Sequence, residues 1–164
     1  MMQKKVCMLG TFSVGKTSLV SRYVRSIFSE RYLTTIGVKI DKKVVATARG
    51  EATLLIWDIY GDDEFQAVRA SFLQGASGYF LVADGTRRSS LARLPALKSL
   101  MEDTVGKVPC RILLNKVDLH ADWELGTVEE QALAELGPVI KTSAKTGQGV
   151  EEAFVQLTTH MLGG

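Results

Sequence analysis

Gly10-Thr11-Phe12-Ser13-Val14-Gly15-Lys16-Thr17 decides the reading of this chain. It fits G-x-x-x-x-G-K-[ST], and it lies between a short apolar run, Val6–Leu9, and a segment of helical period. Glycine lets such a loop wind tightly, so that successive backbone N–H groups point inward at an anion. The Lys16 side chain can reach the outer phosphates as a point charge. The Thr17 hydroxyl can ligate Mg²⁺, and the helix starting at Thr17 adds the positive end of its dipole. The motif specifies a nucleoside triphosphate and leaves the base open.

Outward from the loop, strand and helix patterns alternate. Leu19, Val20, Tyr23, Val24 and Ile27 mark an amphipathic helix over Thr17–Ile27. Val38–Ala48 and Ala52–Ile59 are rich in β-branched and apolar residues, with Arg49-Gly50-Glu51 as the turn of a hairpin. Gly78–Ala83 is a continuous apolar run, the pattern of a strand buried on both faces. Leu91, Leu94, Leu97 and Met101 mark a helix capped by Ser89 or Ser90; Pro95 makes it start late or kink. Arg111–Leu114 is the next strand, Thr127–Leu136 the next helix and Pro138–Lys141 a last short strand. Val150, Phe154, Leu157 and Met161 form one stripe of a closing helix. Such alternation implies a mostly parallel sheet covered by helices on both faces, with the hairpin adding one antiparallel edge strand. With no repeat and no linker, residues 1–164 read as one domain.

Composition removes several other classes. Apolar residues make up 46% and charged residues 23%, enough core material to exclude disorder. Lys plus Arg is 20 and Asp plus Glu is 18, and a net charge of +2 argues against nucleic acid as the main partner. Cys7 and Cys110 fall inside apolar runs and read as buried, reduced thiols. Too few apolar residues follow Lys4-Lys5 for a signal peptide, and no run is long enough to span a bilayer. His160-Met161-Leu162-Gly163-Gly164 carries no cysteine for prenylation, so either the protein has no lipid anchor or a tail is missing. A cytoplasmic monomer is the expectation.

Two later segments select the base. The Asp118 carboxylate, in Asn115-Lys116-Val117-Asp118, can accept hydrogen bonds from N1–H and the exocyclic amine of guanine. Adenine offers no such pair of donors and would leave the carboxylate unpaired. The Lys116 stem can lie over the base, and Asn115 can tie this loop back to the phosphate cradle. In Thr142-Ser143-Ala144-Lys145-Thr146-Gly147 the Ala144 N–H can meet the guanine O6.

With GTFSVGKT, TTIGV, WDIYG, NKVD and TSAKTGQGVEEAF in this order over residues 3–161, the chain resembles a small GTPase of the Ras superfamily, nearest the Rab branch. The missing prenylation signal fits a prokaryotic or unanchored member. The resemblance implies an α/β P-loop NTPase fold: a three-layer sandwich with a six-stranded, mostly parallel sheet and five helices, and a Mg²⁺–GTP pocket at the carboxyl ends of the strands. It implies that Ser13, Val14, Gly15, Lys16, Thr17 and Ser18 surround the phosphates, and that Asn115, Lys116, Asp118, Ser143, Ala144 and Lys145 surround the base. Thr35 would ligate Mg²⁺ beside Thr17, with Thr34 its adjacent competitor, and Asp58 would hold the ion through water. Phe28 and Tyr32 match aromatic positions bordering the nucleotide, although Phe28 also suits helix-end packing. Gly61 would contact the γ-phosphate through its N–H. Loss of that phosphate would release the loops at 28–38 and 58–74, whose shapes effector and regulatory proteins would read.

Two departures bear on hydrolysis. Where the family usually carries a glutamine that orients the attacking water, this chain has Asp62. A carboxylate accepts from water but cannot donate to a phosphate oxygen, and it adds negative charge beside an anionic transition state. Phe12, in the cradle, and Tyr60 are bulky where relatives carry small residues; they crowd the γ-phosphate or simply face solvent. Slow unaided turnover is expected, with Lys16, Gly61 and Asp62 as the catalytic set and Gln66 as an alternative water-positioning amide. A second reading is a scaffold that binds GTP or GDP without hydrolysis. A small-molecule kinase using ATP would need an Arg-rich lid, which the sequence lacks, and Asp118 points to guanine instead.

Overall fold

An apolar strand buried on both faces needs cover on both sides, and β1 (Met2–Leu9) has it. Val6 and Met8 point to one face and Cys7 and Leu9 to the other, all fully buried. In the computed structural model, which describes residues 2–11, 13–25, 38–59 and 68–163, β1 lies inside a six-stranded sheet. The other strands are β2 (Val38–Thr47), β3 (Gly50–Ile59), β4 (Ala76–Asp84), β5 (Cys110–Asn115) and β6 (Val139–Lys141), in the order β2-β3-β1-β4-β5-β6. Only β2 runs antiparallel to its neighbour. The chain moves to one side of β1 for β2 and β3 and to the other for β4 to β6. That reversal puts a switch point at the carboxyl end of β1, the place where sheets of this kind bind ligands.

The described residues carry four α-helices. Helices α1 (Lys16–Arg25) and α4 (Val150–Met161) cover one face, where Leu19, Val20, Phe154 and Leu157 pack on Val6, Met8, Phe80 and Val82. Phe154 is fully buried, stacks on Tyr23 with ring centroids 3.9 Å apart and meets Phe80 edge-on at 4.9 Å. Helices α2 (Leu94–Val105) and α3 (Thr127–Leu136) cover the other face, where Leu94, Leu97, Met101 and Leu133 pack on Leu9, Tyr79, Leu81 and Ile112. The three-layer α/β expectation therefore holds. Among the described residues no helix is long and apolar enough to cross a membrane.

Element limits differ from the sequence reading for physical reasons. β1 starts well before Val6 because Met2–Lys5 pair with Ala52–Leu55 while their side chains stay partly exposed, which hides them from any hydropathy pattern. The hairpin turn is Ala48-Arg49 rather than Arg49-Gly50-Glu51: Gly50 pairs with Thr47 at φ +120°, and the Thr47 hydroxyl closes the turn by accepting from the Arg49 N–H at 3.1 Å. Neither Ser89 nor Ser90 caps α2. Both lie in a short 3-10 turn, Arg88–Leu91, and α2 starts late with Pro95 in its first turn, where the missing N–H costs no helical bond. Cys7 and Cys110 are free and buried, and burial pushes their thiols up to about 12 and about 11.

Candidate functional site

The loop after β1 is closed by what its glycines lack. A Cβ on Gly10 would lie 2.7 Å from the Val82 carbonyl oxygen of β4. Gly15 has φ +100°, and a Cβ there would lie 2.4 Å from Asn115 Nδ2. Ser13 also adopts positive φ, 63°, so the backbone turns sharply between Ser13 and Lys16. α1 starts at Lys16, which sets the loop against a helix N-terminus. Lys16 is buried, with Nζ donating to the Gly10 carbonyl at 2.9 Å and reaching the Thr11 carbonyl at 3.5 Å.

At the end of β3, beside Met8 of β1, Asp58 is fully buried. The Thr17 hydroxyl donates to its Oδ2. Its Oδ1 and the Thr11 hydroxyl are buried without a hydrogen-bond partner among the described residues. Burial pushes the Asp58 carboxyl upward, opposed by the charge of Lys16, the Thr17 hydrogen bond and Lys39, while Asp41 adds to the rise. A hydroxyl paired with a buried carboxylate whose second oxygen is unused is an oxygen donor set that fits a hard divalent cation such as Mg²⁺.

The loops after β5 and β6 form the other end of the site. Asn115 is buried at the tip of β5; its Nδ2 donates to the Val14 carbonyl at 2.9 Å and its Oδ1 accepts the Thr142 hydroxyl at 3.0 Å. Lys116, at φ 71°, donates to the Ser13 carbonyl at 3.0 Å and pairs with Asp84 Oδ2 at 2.9 Å. Asp118 Oδ1 accepts the Ser143 hydroxyl at 2.7 Å, and Ser143 Oγ accepts the Thr146 N–H at 3.1 Å. Val117 N–H donates to the Thr142 carbonyl at 3.1 Å, which joins the two loops through their backbones as well. Ala144 is buried beside Ser143.

The structure thus brings together Ser13, Val14, Gly15, Lys16, Thr17, Ser18 and Asp58 at one end and Asn115, Lys116, Asp118, Ser143, Ala144 and Lys145 at the other, with Asn115 and Lys116 bridging them. Phe12, Phe28, Tyr32, Thr34, Thr35, Tyr60, Gly61, Asp62 and Gln66 lie outside the described residues. Sequence reasoning missed Asp84, which is fully buried at the end of β4. Burial pushes its carboxyl up, but hydrogen bonds from the Thr86 hydroxyl, Lys116 and the Thr86 N–H, with the charge of Lys116, hold it below the usual carboxylate value. A signal was available: β3, β4 and β5 each carry a polar residue at the carboxyl end of an apolar run, namely Asp58, Asp84 and Asn115.

A family model described as Ras family matches residues 5–163. Ras-related protein Rab-25 of Canis lupus familiaris is 34% identical over 153 residues, covering 92% of this chain and 72% of that protein. Ras-related protein Rab-4A of Danio rerio is 32% identical over 164 residues, covering 96% and 76%. Ras-related protein Rab-4 of Dictyostelium discoideum is 34% identical over 160 residues, covering 94% and 77%.

Proposed function

This chain belongs to the Ras family of small GTPases, with Rab proteins among its relatives, and on that premise we propose that it is a single-domain, Mg²⁺-dependent switch that hydrolyses GTP slowly when unaided. The observation that carries the reading is the pair of bonds from Asn115 to Val14 and from Lys116 to Ser13, which join a phosphate-type cradle to a base-type loop across the crevice.

In this reading the backbone N–H groups of residues 13–18 hold the β- and γ-phosphates, and Lys16 turns its charge to their oxygens. Thr17 and Thr35, with Asp58 through water, would hold Mg²⁺, which would supply positive charge against that of the phosphates. Asp118 accepts from guanine N1–H and the exocyclic amine, the Ala144 N–H donates to O6, and the Lys116 stem and Phe28 border the base. Ser143 and Lys145 complete that loop. Water attacks the γ-phosphorus in line as the bond to the β–γ bridging oxygen breaks, giving GDP and inorganic phosphate. Gly61 donates its N–H to the γ-phosphate. Asp62 stands where an amide would both accept from water and donate to phosphate, and it can do only the first. Effector and regulatory proteins would read residues 28–38 and 58–74.

Single-turnover hydrolysis by the parent and by Asp62→Gln tests the slow step. The expected outcome is faster turnover by the variant, by about tenfold or more. Equal or faster turnover by the parent would sink it. A second reading, a scaffold gated by GTP and GDP without hydrolysis, is favoured by Asp62 and Phe12. No phosphate release from bound GTP, with or without candidate activators, would select it.

A further inference from the structure

We propose that Arg22 is a positioning residue for base recognition, holding the turn at Lys145–Gly147 so that the Ala144 N–H faces O6 of the base. The proposal rests on the guanine-binding reading above. Arg22 Nη2 donates to the Thr146 carbonyl at 3.1 Å and Nη1 to the Lys145 carbonyl at 3.4 Å. The turn closes directly on the guanidinium. Gly147 has φ +89°, and a Cβ there would lie 2.8 Å from Nη2 and 3.0 Å from Nε.

The same turn leads to the groups that would read the base. The Gly147 N–H donates to the Ser143 carbonyl at 2.8 Å and the Thr146 N–H to Ser143 Oγ at 3.1 Å. The Ser143 hydroxyl then donates to Asp118 Oδ1 at 2.7 Å. Ala144 sits inside this ring of bonds, so the direction of its N–H follows the turn that Arg22 holds. Arg22 is carried by α1, whose first turn contains Lys16 and Thr17, so one helix is tied to both ends of the nucleotide site. Two N–H donors in a planar fork reach two carbonyls of one turn, a match that a single ammonium does not reproduce. Arg22, Thr146, Gly147 and Glu151 also line an open cleft of about 430 Å³. Water can therefore solvate the two carbonyls when the guanidinium is removed, and truncation loosens the turn without burying unpaired groups.

Competition titrations of the full chain with three nucleoside diphosphates test this. GDP and inosine diphosphate carry O6, and the diphosphate of 2-aminopurine riboside lacks it. Arg22→Ala should weaken GDP and inosine diphosphate about tenfold, the order of one charge-assisted hydrogen bond, and leave the 2-aminopurine nucleotide within about twofold. That last affinity also reports that the variant is folded. Arg22→Lys, which keeps the charge but not the fork, should fall between parent and Arg22→Ala. Unchanged GDP affinity in Arg22→Ala, or equal weakening of all three ligands, overturns the proposal. A parent chain that binds no GDP would instead remove the guanine reading, and the proposal with it.

Discussion

The two ends of the site are built by opposite means. The cradle is a backbone device: Gly10 and Gly15 leave room, Ser13 and Gly15 take positive φ, and in the proposed reading the N–H groups would do the binding. The base end is a side-chain device, in which Asn115, Lys116, Asp118, Thr142 and Ser143 are laced by hydrogen bonds of 2.7 to 3.0 Å. The cradle should therefore be most sensitive to atoms added, and the base end to atoms removed. In the proposed reading, affinity for phosphate and choice of base should then respond to different kinds of substitution.

The largest effect expected from this contrast is Gly15→Ala. The added methyl would meet Asn115 Nδ2 at 2.4 Å, and Asn115 cannot swing away without giving up its bonds to Val14 and Thr142. With φ at +100° besides, GDP affinity should fall about 100-fold or more in a competition titration. A variant within threefold of the parent would show that the cradle tolerates added atoms and would break the contrast. Next is Asn115→Ala, which removes both bonds from a buried position and should weaken GDP by about 30-fold, with a loss of stability of about 2 kcal/mol in denaturant titration. If stability drops while affinity holds, Asn115 supports the fold and does not join the two ends.

How much of this was legible depends on what kind of contact is involved. Lys16, Thr17, Asn115, Lys116 and Asp118 were readable as candidates because their motifs set residue types at short spacing, and the structure brings them to one crevice; the sheet was readable because Gly78–Ala83 and Arg111–Leu114 are unbroken apolar runs. The supports of those residues were not. Arg22 reaches Lys145 and Thr146, and Lys116 reaches Asp84, across gaps that no periodicity spans. On its own helix Arg22 looks like any solvent-facing charge. Met2–Lys4 hid their strand because β3 alone pairs them while solvent reaches their side chains. Ser90 looked like a helix cap, but its hydroxyl serves the end of β4, accepting from the Asp84 N–H at 2.9 Å.

Asp84 sharpens the contrast at intermediate size. Asp84→Asn keeps the shape but removes the charge facing Lys116 at 2.9 Å, and GDP affinity should fall about tenfold. The same carboxyl carries a pH signature. Its folded value lies below that of the unfolded chain, so its contribution to stability is complete above about pH 4 and is lost as pH falls through the folded value. Thermal melts between pH 6 and pH 2.5 should therefore fall more steeply for the parent than for Asp84→Asn. Parallel curves would mean that the bonds from Thr86, Lys116 and Arg87 gain little from the charge of the carboxylate.

The smallest effect belongs to Ser143→Ala. Its hydroxyl donates to Asp118 at 2.7 Å and accepts from the Thr146 N–H at 3.1 Å, so removal frees one carboxylate oxygen and one backbone donor. Asp118 retains its charge and Ala144 retains its place, so GDP should weaken by about fivefold, near 1 kcal/mol. The informative quantity is the coupling with Arg22→Ala. If Arg22 and this hydroxyl hold the same turn through Thr146, the double variant should lose less than the product of the two single losses. Simple multiplication would mean that Arg22 and Ser143 hold the turn independently, and that the base end consists of two separate contacts instead of one connected network.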